Sequence, residues 1–279
     1  MRARNARRVI VLEGLALRGL GVLDAPFVVE PPVGWDEADE VVRNAPPSAV
    51  VLLDPYAGTR PGDAFPRLHE LLRRFPSLTV VAALELRPET VGDVGTLLEW
   101  GVAEVVDTGP ECTPTAIHAR LRQAHARPLK RGLERALSSY VRTESRDLLL
   151  GAAEVAVEGG GATELARAPN VAPRTLTERC IRADVPPPRQ VQAWMRVLLA
   201  CMLLDDPGRT VYATAYACGY STDRSLRRAV AAFLGADATT LRRGGAFTQA
   251  ARAFNEVLRE LREEGHERRR AERLAAREG

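Results

Sequence analysis

The sequence has 279 residues, of which 46% are hydrophobic and 27% are charged, and its formal net charge at pH 7 is +3. This length predicts two domains, because a chain of this size usually divides into separate cores. No apolar run approaches the roughly 18 residues of a membrane span, and the N-terminal stretch lacks the apolar core of a signal peptide, so we expect a cytoplasmic chain with no membrane partner.

The charged residues divide unevenly at residue 113. Residues 1–113 contain 11 Lys and Arg against 17 Asp and Glu, whereas the rest of the chain contains 28 against 19. Arginine supplies nearly all the basic residues after residue 113, and its guanidinium group suits phosphate and guanine. This asymmetry favours an acidic domain joined to a domain that binds a polyanion.

The cysteine and histidine residues form no pattern typical of a metal site or a catalytic site. No CxxC pair occurs, and no histidine lies in a motif with a cysteine ligand or a nucleophile. We therefore expect reduced, mostly buried thiols, no metal, no cofactor and no enzymatic activity. The residues concerned are Cys112, Cys180, Cys201, Cys218, His69, His118, His125 and His266.

The first 126 residues predict five strand–helix units around a parallel sheet. Short β-branched runs recur, and the segments between them carry apolar residues at helical spacing, as in 65–75 and 91–100. The runs are Val9–Leu12, Phe27–Val29, Ala49–Leu53, Leu78–Ala82 and Glu104–Val106. The third run ends at Asp54, and functional residues of open α/β sheets gather at such strand ends.

The order of these elements resembles the receiver domain of response regulators, a flavodoxin-like fold, over roughly residues 7–126. In that family an aspartate after the third strand accepts a phosphoryl group, and Asp54 matches it. The family also has an acidic pair after the first strand, a Ser or Thr after the fourth and a Lys after the fifth. The corresponding residues here are Glu13 and Gly14, Ala82 and Ala83, and Thr108.

These departures remove groups that would neutralise charge on the phosphoryl oxygens, so we expect Asp54 to stay unphosphorylated. An Asp followed by Pro55 is also typical of a plain strand end. We interpret residues 1–126 as a degenerate receiver that serves dimerisation, a protein partner or a small ligand. The alternative is a response regulator that is controlled through phosphorylation of Asp54.

A helical connector is predicted over residues 127–158, within a helical pattern that begins near Thr115. Pro128 should break or kink this pattern. An apolar stripe follows, which is either a seam of a homodimer or a surface packed on one of the domains; it consists of Leu133, Leu137, Tyr140 and Val141. Gly159–Gly161 then predicts a flexible entry into the next domain.

The segment after these glycines has the layout of a helix-turn-helix. Ala162–Ala168 predicts a short helix, Pro169 and Asn170 predict a turn, and Pro173 opens a second helix. Leu176 should lie on the buried side of this second helix.

A second copy of the pattern follows about 50 residues later, over Thr210–Gly235. Gly219 lies at its turn, Ser221 can cap its second helix, and Leu226 corresponds to the leucine of the first copy. A long apolar helix, Pro188–Leu204, is predicted between the two copies.

Two such units joined by one helix resemble the DNA-binding domain of the AraC/XylS family over residues 145–245, which implies an all-α fold. The phrases that carry the resemblance are Leu165-Ala166, the APRTL that begins at Ala172, the set Arg196, Ala200, Leu203 and Leu204, the ACGYSTDRSLRRAV that begins at Ala217, Phe233-x-Gly235 and Leu241-Arg242. In that family the second helices of both units enter successive major-groove segments of double-stranded DNA.

The resemblance implies which residues meet DNA. The expected base contacts are Arg174, Thr177, Glu178, Asp223, Arg224, Ser225 and Arg228. The expected phosphate contacts are Thr210, Thr222 and Arg227. The second unit departs from the family's usual residues at Thr214, Leu226, Val230, Ala231, Ala232 and Ala238. We therefore expect the first unit to carry more of the base reading.

Residues 246–279 predict a charged C-terminal helix. Its first part has apolar residues at helical spacing, whereas Arg262–Gly279 has little apolar content and is interpreted as a solvated extension or a frayed end. Taken together, the patterns predict a sequence-specific DNA-binding transcription regulator, as a homodimer through the N-terminal domain or the connector. An interaction adaptor that does not bind DNA is a further alternative.

Overall fold

The computed structural model describes residues 6–15, 23–57, 64–109, 112–167 and 170–278. The chain divides into two compact units, Met1–Pro128 with Asp205–Ala213, and Leu129–Leu204 with Thr214–Gly279. The sequence patterns predict domains that are each continuous in sequence, so the membership of Asp205–Ala213 in the first unit is a departure from them.

The first unit contains a five-stranded parallel sheet with the strand order β2-β1-β3-β4-β5. The strands are β1 (Arg7–Val11), β2 (Phe27–Val29), β3 (Val50–Leu53), β4 (Thr79–Leu84) and β5 (Glu104–Asp107). Each strand overlaps its predicted run, and the register aligns Val9 with Val50 and Leu53 with Ala82. This is the flavodoxin-like order, so the predicted α/β fold class is confirmed.

Helices cover both faces of this sheet. They are α1 (Ala38–Asn44), α2 (Ala64–Arg74), α3 (Pro88–Trp100) and α4 (Pro114–Ala124). One face, with Ile10 and Val51, packs on α1, α2 and α3, and the other, with Leu52, packs on Ile117 of α4. Burial on both faces explains why the strands are continuous apolar runs. The helix expected after the first strand falls largely on residues 16–22, outside the described residues.

The segment Asp205–Ala213 joins the first unit through two buried charged side chains. Asp206 is 1% exposed and Arg209 is 5% exposed. Ser77 Oγ donates to Asp206 Oδ2 at 2.6 Å, and Arg209 Nη1 donates to the carbonyl oxygen of Ala45 at 3.1 Å. Asp206 Oδ2 and Arg209 Nε lie 3.4 Å apart. A buried charge is costly without such partners, so these contacts account for the place of the segment in this unit.

The second unit is helical throughout its described part, which confirms the predicted all-α fold class. Its helices are α5 (Arg127–Ala136), α6 (Thr143–Val157), α7 (Ala162–Arg167), α8 (Pro173–Arg182), α9 (Pro188–Asp205), α10 (Val211–Ala217), α11 (Asp223–Leu234), α12 (Ala238–Arg243) and α13 (Ala246–Glu278). The ends of α5, α9 and α10 lie in segments of the first unit. Among the described residues, no helix combines the length and the apolar composition that crossing a bilayer requires.

The connector breaks just ahead of Pro128 rather than at it. Ala126 has a left-handed φ of 58°, and Pro128 lies in the first turn of α5, where its missing N–H costs nothing. The predicted apolar stripe is packed within the second unit. Leu133 is buried, and the Tyr140 hydroxyl donates to the carbonyl oxygen of Asn255 at 2.7 Å.

The core of the second unit is built around α9, which is apolar on all sides. Trp194 contacts Phe233 of α11 edge-on at 4.7 Å between ring centroids and Phe254 of α13 at 5.1 Å. Arg196 Nη2 donates to the carbonyl oxygen of Gly160 at 3.0 Å, just before α7. A helix with apolar residues all round is expected at such a centre.

The C-terminal helix α13 continues to Glu278 without a break. Its first half buries Phe254, and Asn255 Nδ2 donates to the carbonyl oxygen of Ala136 at 2.8 Å. In its second half Arg269 pairs with Asp184, a contact that the interpretation as a solvated or frayed extension misses.

Candidate nucleic-acid interface

The first helix-turn-helix unit consists of α7, a turn and α8. Asn170 takes a left-handed φ of 51°, and the N–H of Val171 donates to the carbonyl oxygen of Ala166 at 3.2 Å, which closes the turn. Leu165 and Leu176 are buried between the helices. Ala168 and Pro169, which were predicted to end the first helix and begin the turn, lie outside the described residues.

The second unit of this kind, α10, a turn and α11, repeats the same geometry. Gly219 supplies the left-handed φ of 76°, and the N–H of Tyr220 donates to the carbonyl oxygen of Ala215 at 2.9 Å. Leu226 is fully buried, and its counterpart in the first helix-turn-helix unit, Leu176, is buried as well. The repeat in sequence is therefore a repeat in structure.

The cap of α11 is Thr222, not Ser221 as predicted. The Thr222 hydroxyl accepts the N–H of Ser225 at 3.1 Å, and the two hydroxyl oxygens lie 2.7 Å apart. Thr222 precedes the first helical residue, Asp223, which is the position where a cap must lie. Ser221 precedes this position by one residue.

The outward face of α8 is exposed to solvent at its N-terminal end. The Arg174 side chain is 91% exposed, and its Nε lies 3.0 Å from Oε1 of Glu178. The Thr177 hydroxyl donates to the carbonyl oxygen of Pro173 at 3.1 Å. All three predicted base-contact residues of this unit thus lie on one helix, with Arg174 and Glu178 projecting from it.

The face of α11 has the opposite charge order. Asp223 Oδ2 lies 3.7 Å from Nε of Arg227, so the acidic residue precedes the basic one. Arg224 and Arg228 are exposed and have no ion-pair partner in the part of the chain that the structure describes. Ser225 lies in the first turn of α11, and its N–H donates to the Thr222 hydroxyl that caps the helix.

Two of the three predicted phosphate contacts, Thr210 and Thr222, lie at the starts of the helices of the second helix-turn-helix unit. The Thr210 hydroxyl accepts the N–H of Ala213 at 3.0 Å and so caps α10, as Thr222 caps α11. Arg227 lies on α11 one turn after its start. Helix starts of this kind present backbone N–H groups that suit phosphate oxygens.

The departures of the second helix-turn-helix unit from the family pattern concern both its core and its surface. Thr214, Leu226 and Val230 are fully buried, so smaller side chains fill this core. Ala231 and Ala232 are exposed on α11. The exposed alanines leave fewer positive charges on this helix than a basic pair would.

The sequence patterns did not single out two exposed arginines of α8. Arg179 and Arg182 follow Arg174 along the helix and are exposed. The signal was present, because the buried Leu176 and Cys180 fix which side of α8 faces solvent.

A protein-family model described as a helix-turn-helix domain matches residues 165–244. Residues 165–244 form a helix-turn-helix domain. This match supports a DNA-binding transcription regulator of the AraC type. Comparison with curated proteins and with solved structures gives no match. The matched helix-turn-helix domain contains α8, α9, α10, α11 and α12 and ends just before α13.

The other candidate residue, Asp54, lies at the carboxyl edge of the sheet in the first unit. Its carboxylate accepts the N–H of Tyr56 at 2.8 Å, and burial raises the pKa of Asp54. At the same edge, Asp107 Oδ1 accepts the N–H groups of Leu86 at 3.1 Å and Gly109 at 3.0 Å. A carboxylate therefore occupies the end of β5, next to Thr108.

Proposed function

We propose that the chain is a sequence-specific transcription regulator in which α8 and α11 enter successive major-groove segments on one face of double-stranded DNA. The observation that carries this proposal is the repeated unit itself. The second helix of each unit, α8 or α11, buries one leucine and exposes arginine on its outward face. Between the two units runs α9, whose Trp194 contacts Phe233 of α11 and whose Arg196 donates to the carbonyl oxygen of Gly160, just before α7.

The proposal gives each exposed residue a role. Arg174, Arg224 and Arg228 would read guanine through its O6 and N7 atoms, because a guanidinium group can donate to both at once. Glu178 and Asp223 would accept a hydrogen bond from the amino group of cytosine.

Hydroxyl groups complete this set of contacts. Thr177 and Ser225 would add contacts to bases, and Thr210, Thr222 and Arg227 would bind phosphates and fix the register. We infer that α8 contributes more to base reading than α11, because Ala231 and Ala232 of α11 are uncharged where the family usually has basic residues.

We propose further that the first unit is a pseudo-receiver that acts through dimerisation, a protein partner or a small ligand. Support comes from the carboxyl edge of its sheet. Leu53 pairs with Ala82, so the residues that follow them, Asp54 and Ala83, are neighbours in register. Ala83 has no hydroxyl group, whereas the family has a Ser or Thr after the fourth strand. Thr108, at the position of the family's lysine, carries no positive charge that could neutralise a phosphoryl group.

Selection of duplexes from a random library tests the DNA-binding proposal. Wild-type protein should enrich one sequence family, and Arg174→Ala and Arg224→Ala should each relax the preference at a different position. Arg189→Ala is the matched control, because Arg189 is exposed on α9, outside both recognition helices. Enrichment of no sequence, or equal selections by all variants, would refute the proposal.

Incubation with a small phosphodonor and magnesium, followed by mass measurement, tests control by phosphorylation. We expect no added phosphoryl mass on the wild type and equal DNA affinity of wild type and Asp54→Asn. A mass increase that Asp54→Asn abolishes would instead establish a phosphorylation-controlled regulator.

A further inference from the structure

The end of recognition helix α8 is held in an uncommon backbone conformation. Asp184, two residues after the helix, has a left-handed φ of 51°, a conformation that usually favours glycine or asparagine. The N–H of Val185 donates to the carbonyl oxygen of Cys180 at 3.1 Å, which closes the helix end. The Asp184 side chain is 4% exposed, so its charge requires a partner.

That partner comes from the distal half of α13. Arg269 Nη1 and Nη2 donate to Oδ1 and Oδ2 of Asp184, both at 3.0 Å, in a bidentate pair. Arg268 lies further away, with Nη2 3.9 Å from Oδ1. The pair spans 85 positions of sequence and joins the end of α8 to a helix outside the matched domain.

Gly265 makes the approach of the two helices possible. A Cβ atom at this position would lie 2.1 Å from Asp184 Oδ1, which is closer than non-bonded atoms can come. Glycine is unfavourable in the interior of a helix, yet α13 contains Gly265 and remains helical around it. The close contact with Asp184 gives this glycine a structural reason.

The same end of α8 is also held from α6. The Ser145 hydroxyl donates to the carbonyl oxygen of Ala183 at 2.6 Å, and Arg142 Nη1 donates to that of Arg182 at 3.3 Å. The C-terminal end of α8 is thus fixed by side chains, whereas its N-terminal end, with Arg174, projects into solvent.

We propose that Arg269 and Gly265 are positioning residues for DNA recognition, which fix the angle at which α8 enters the major groove. This inference rests on the proposed function of α8. A ten-residue helix is about 15 Å long, so a tilt of about 4° at one end moves the other by about 1 Å. Base contacts tolerate about half that displacement. The distal half of α13 therefore acts on specificity without touching DNA.

Titration of a selected duplex at several salt concentrations tests the proposal in the full-length protein. Arg269→Ala should weaken binding about tenfold, and the dependence of log Kd on log salt should keep its slope, because no phosphate contact is lost. Arg270→Ala is the matched control, since Arg270 is exposed next to Arg269 and carries the same charge. It should bind as wild type does.

A second duplex separates positioning from a general loss of structure. In this duplex the half that Arg174→Ala no longer discriminates is scrambled. The tenfold loss caused by Arg269→Ala should disappear there, since α8 has no base contacts left to lose. An equal loss on both duplexes, a salt slope smaller by about one, or equal binding by Arg269→Ala and Arg270→Ala would overturn the proposal.

Two further variants keep the test valid if Arg269→Ala unfolds. Gly265→Ala should show the same half-specific loss. Asp184→Gly combined with Arg269→Ala removes both the buried charge and the left-handed strain, so it should fold and still bind weakly. Wild-type binding without preference for the selected duplex would refute the proposed function. A wild-type preference that these two variants retain in full would refute the positioning role alone.

Discussion

Arg174 and Glu178 form an ion pair on the exposed face of α8, with Nε and Oε1 3.0 Å apart. Asp223 and Arg227 form the reversed pair on α11. Exposed pairs at this spacing contribute only about 0.3–0.5 kcal/mol, so a charged ligand can replace them at little cost. Under the proposed function, the charged side chains of α8 and α11 would exchange these partners for DNA.

Replacement of Arg174 should reduce specificity more than any single change on α11. Arg174→Ala should weaken binding to the selected duplex by about tenfold or more, because a bidentate contact to guanine contributes roughly 1–3 kcal/mol of discrimination. Arg224→Ala should weaken it less. Fluorescence anisotropy with selected and single-base variant duplexes measures both. A larger loss from Arg224→Ala would contradict this prediction and would mean that α11 contributes more to base reading than α8.

Replacement of Arg227 should act on affinity without acting on specificity. Arg227→Ala should weaken binding to all duplexes alike and reduce the slope of log Kd against log salt by about one, because one phosphate contact is lost. Titrations at four salt concentrations give the slope. Arg189→Ala should leave it unchanged, and a loss confined to one base position would mean that Arg227 reads a base.

The cap at Thr222 should contribute to stability as well as to binding. Thr222→Ala should lower the free energy of unfolding by about 1 kcal/mol, because the N–H of Ser225 loses its acceptor. Thr222→Ser keeps the acceptor and should restore both stability and affinity. Ser221→Ala is the control, and urea unfolding is the measurement. A larger loss from Ser221→Ala would identify Ser221 as the cap.

The buried carboxyl of Asp206 should make the stability of the first unit depend on pH. Burial raises the pKa of Asp206 to about 6, so the folded state binds a proton more tightly than the unfolded state. The tighter binding of this proton adds to the free energy of unfolding. This stabilisation is complete below about pH 4, falls as the pH rises and is lost above about pH 6, a difference of roughly 3 kcal/mol.

Comparison with Asp206→Asn isolates this dependence from that of other carboxyls. The wild type should lose roughly 3 kcal/mol relative to Asp206→Asn between pH 4 and pH 7. Urea unfolding in a Trp194→Phe background reports the first unit, because its fluorescence then comes from Trp35 and Trp100. Parallel stability curves for the two proteins would show that Asp206 titrates normally.

Local patterns were sufficient to predict much of the architecture. Continuous apolar runs such as Val50–Leu53 predict buried parallel strands, and Leu176 and Leu226 recur at equivalent places in two helix-turn-helix units. These features depend on neighbours in sequence. The cap at Thr222 was missed by one residue because adjacent hydroxyls satisfy the same pattern.

Contacts between distant residues escaped prediction for a physical reason. Asp206 and Arg209 look like solvated charges until the tertiary fold buries them. Asp184 and Arg269 likewise lie 85 positions apart, and nothing in the residues next to either one indicates that they form a pair. The one available signal was Gly265, a glycine within a helical pattern, and its meaning depends on a carboxylate that only the fold brings close.

The ratio of Kd values for a shuffled and a selected duplex, measured at one physiological salt concentration, tests sequence-specific binding most directly. We expect the selected duplex to bind about a thousandfold or more tightly, the lower range for specific regulators. We expect Arg174→Ala to reduce this ratio. A ratio near one for the wild-type protein would contradict recognition of DNA sequence by α8 and α11.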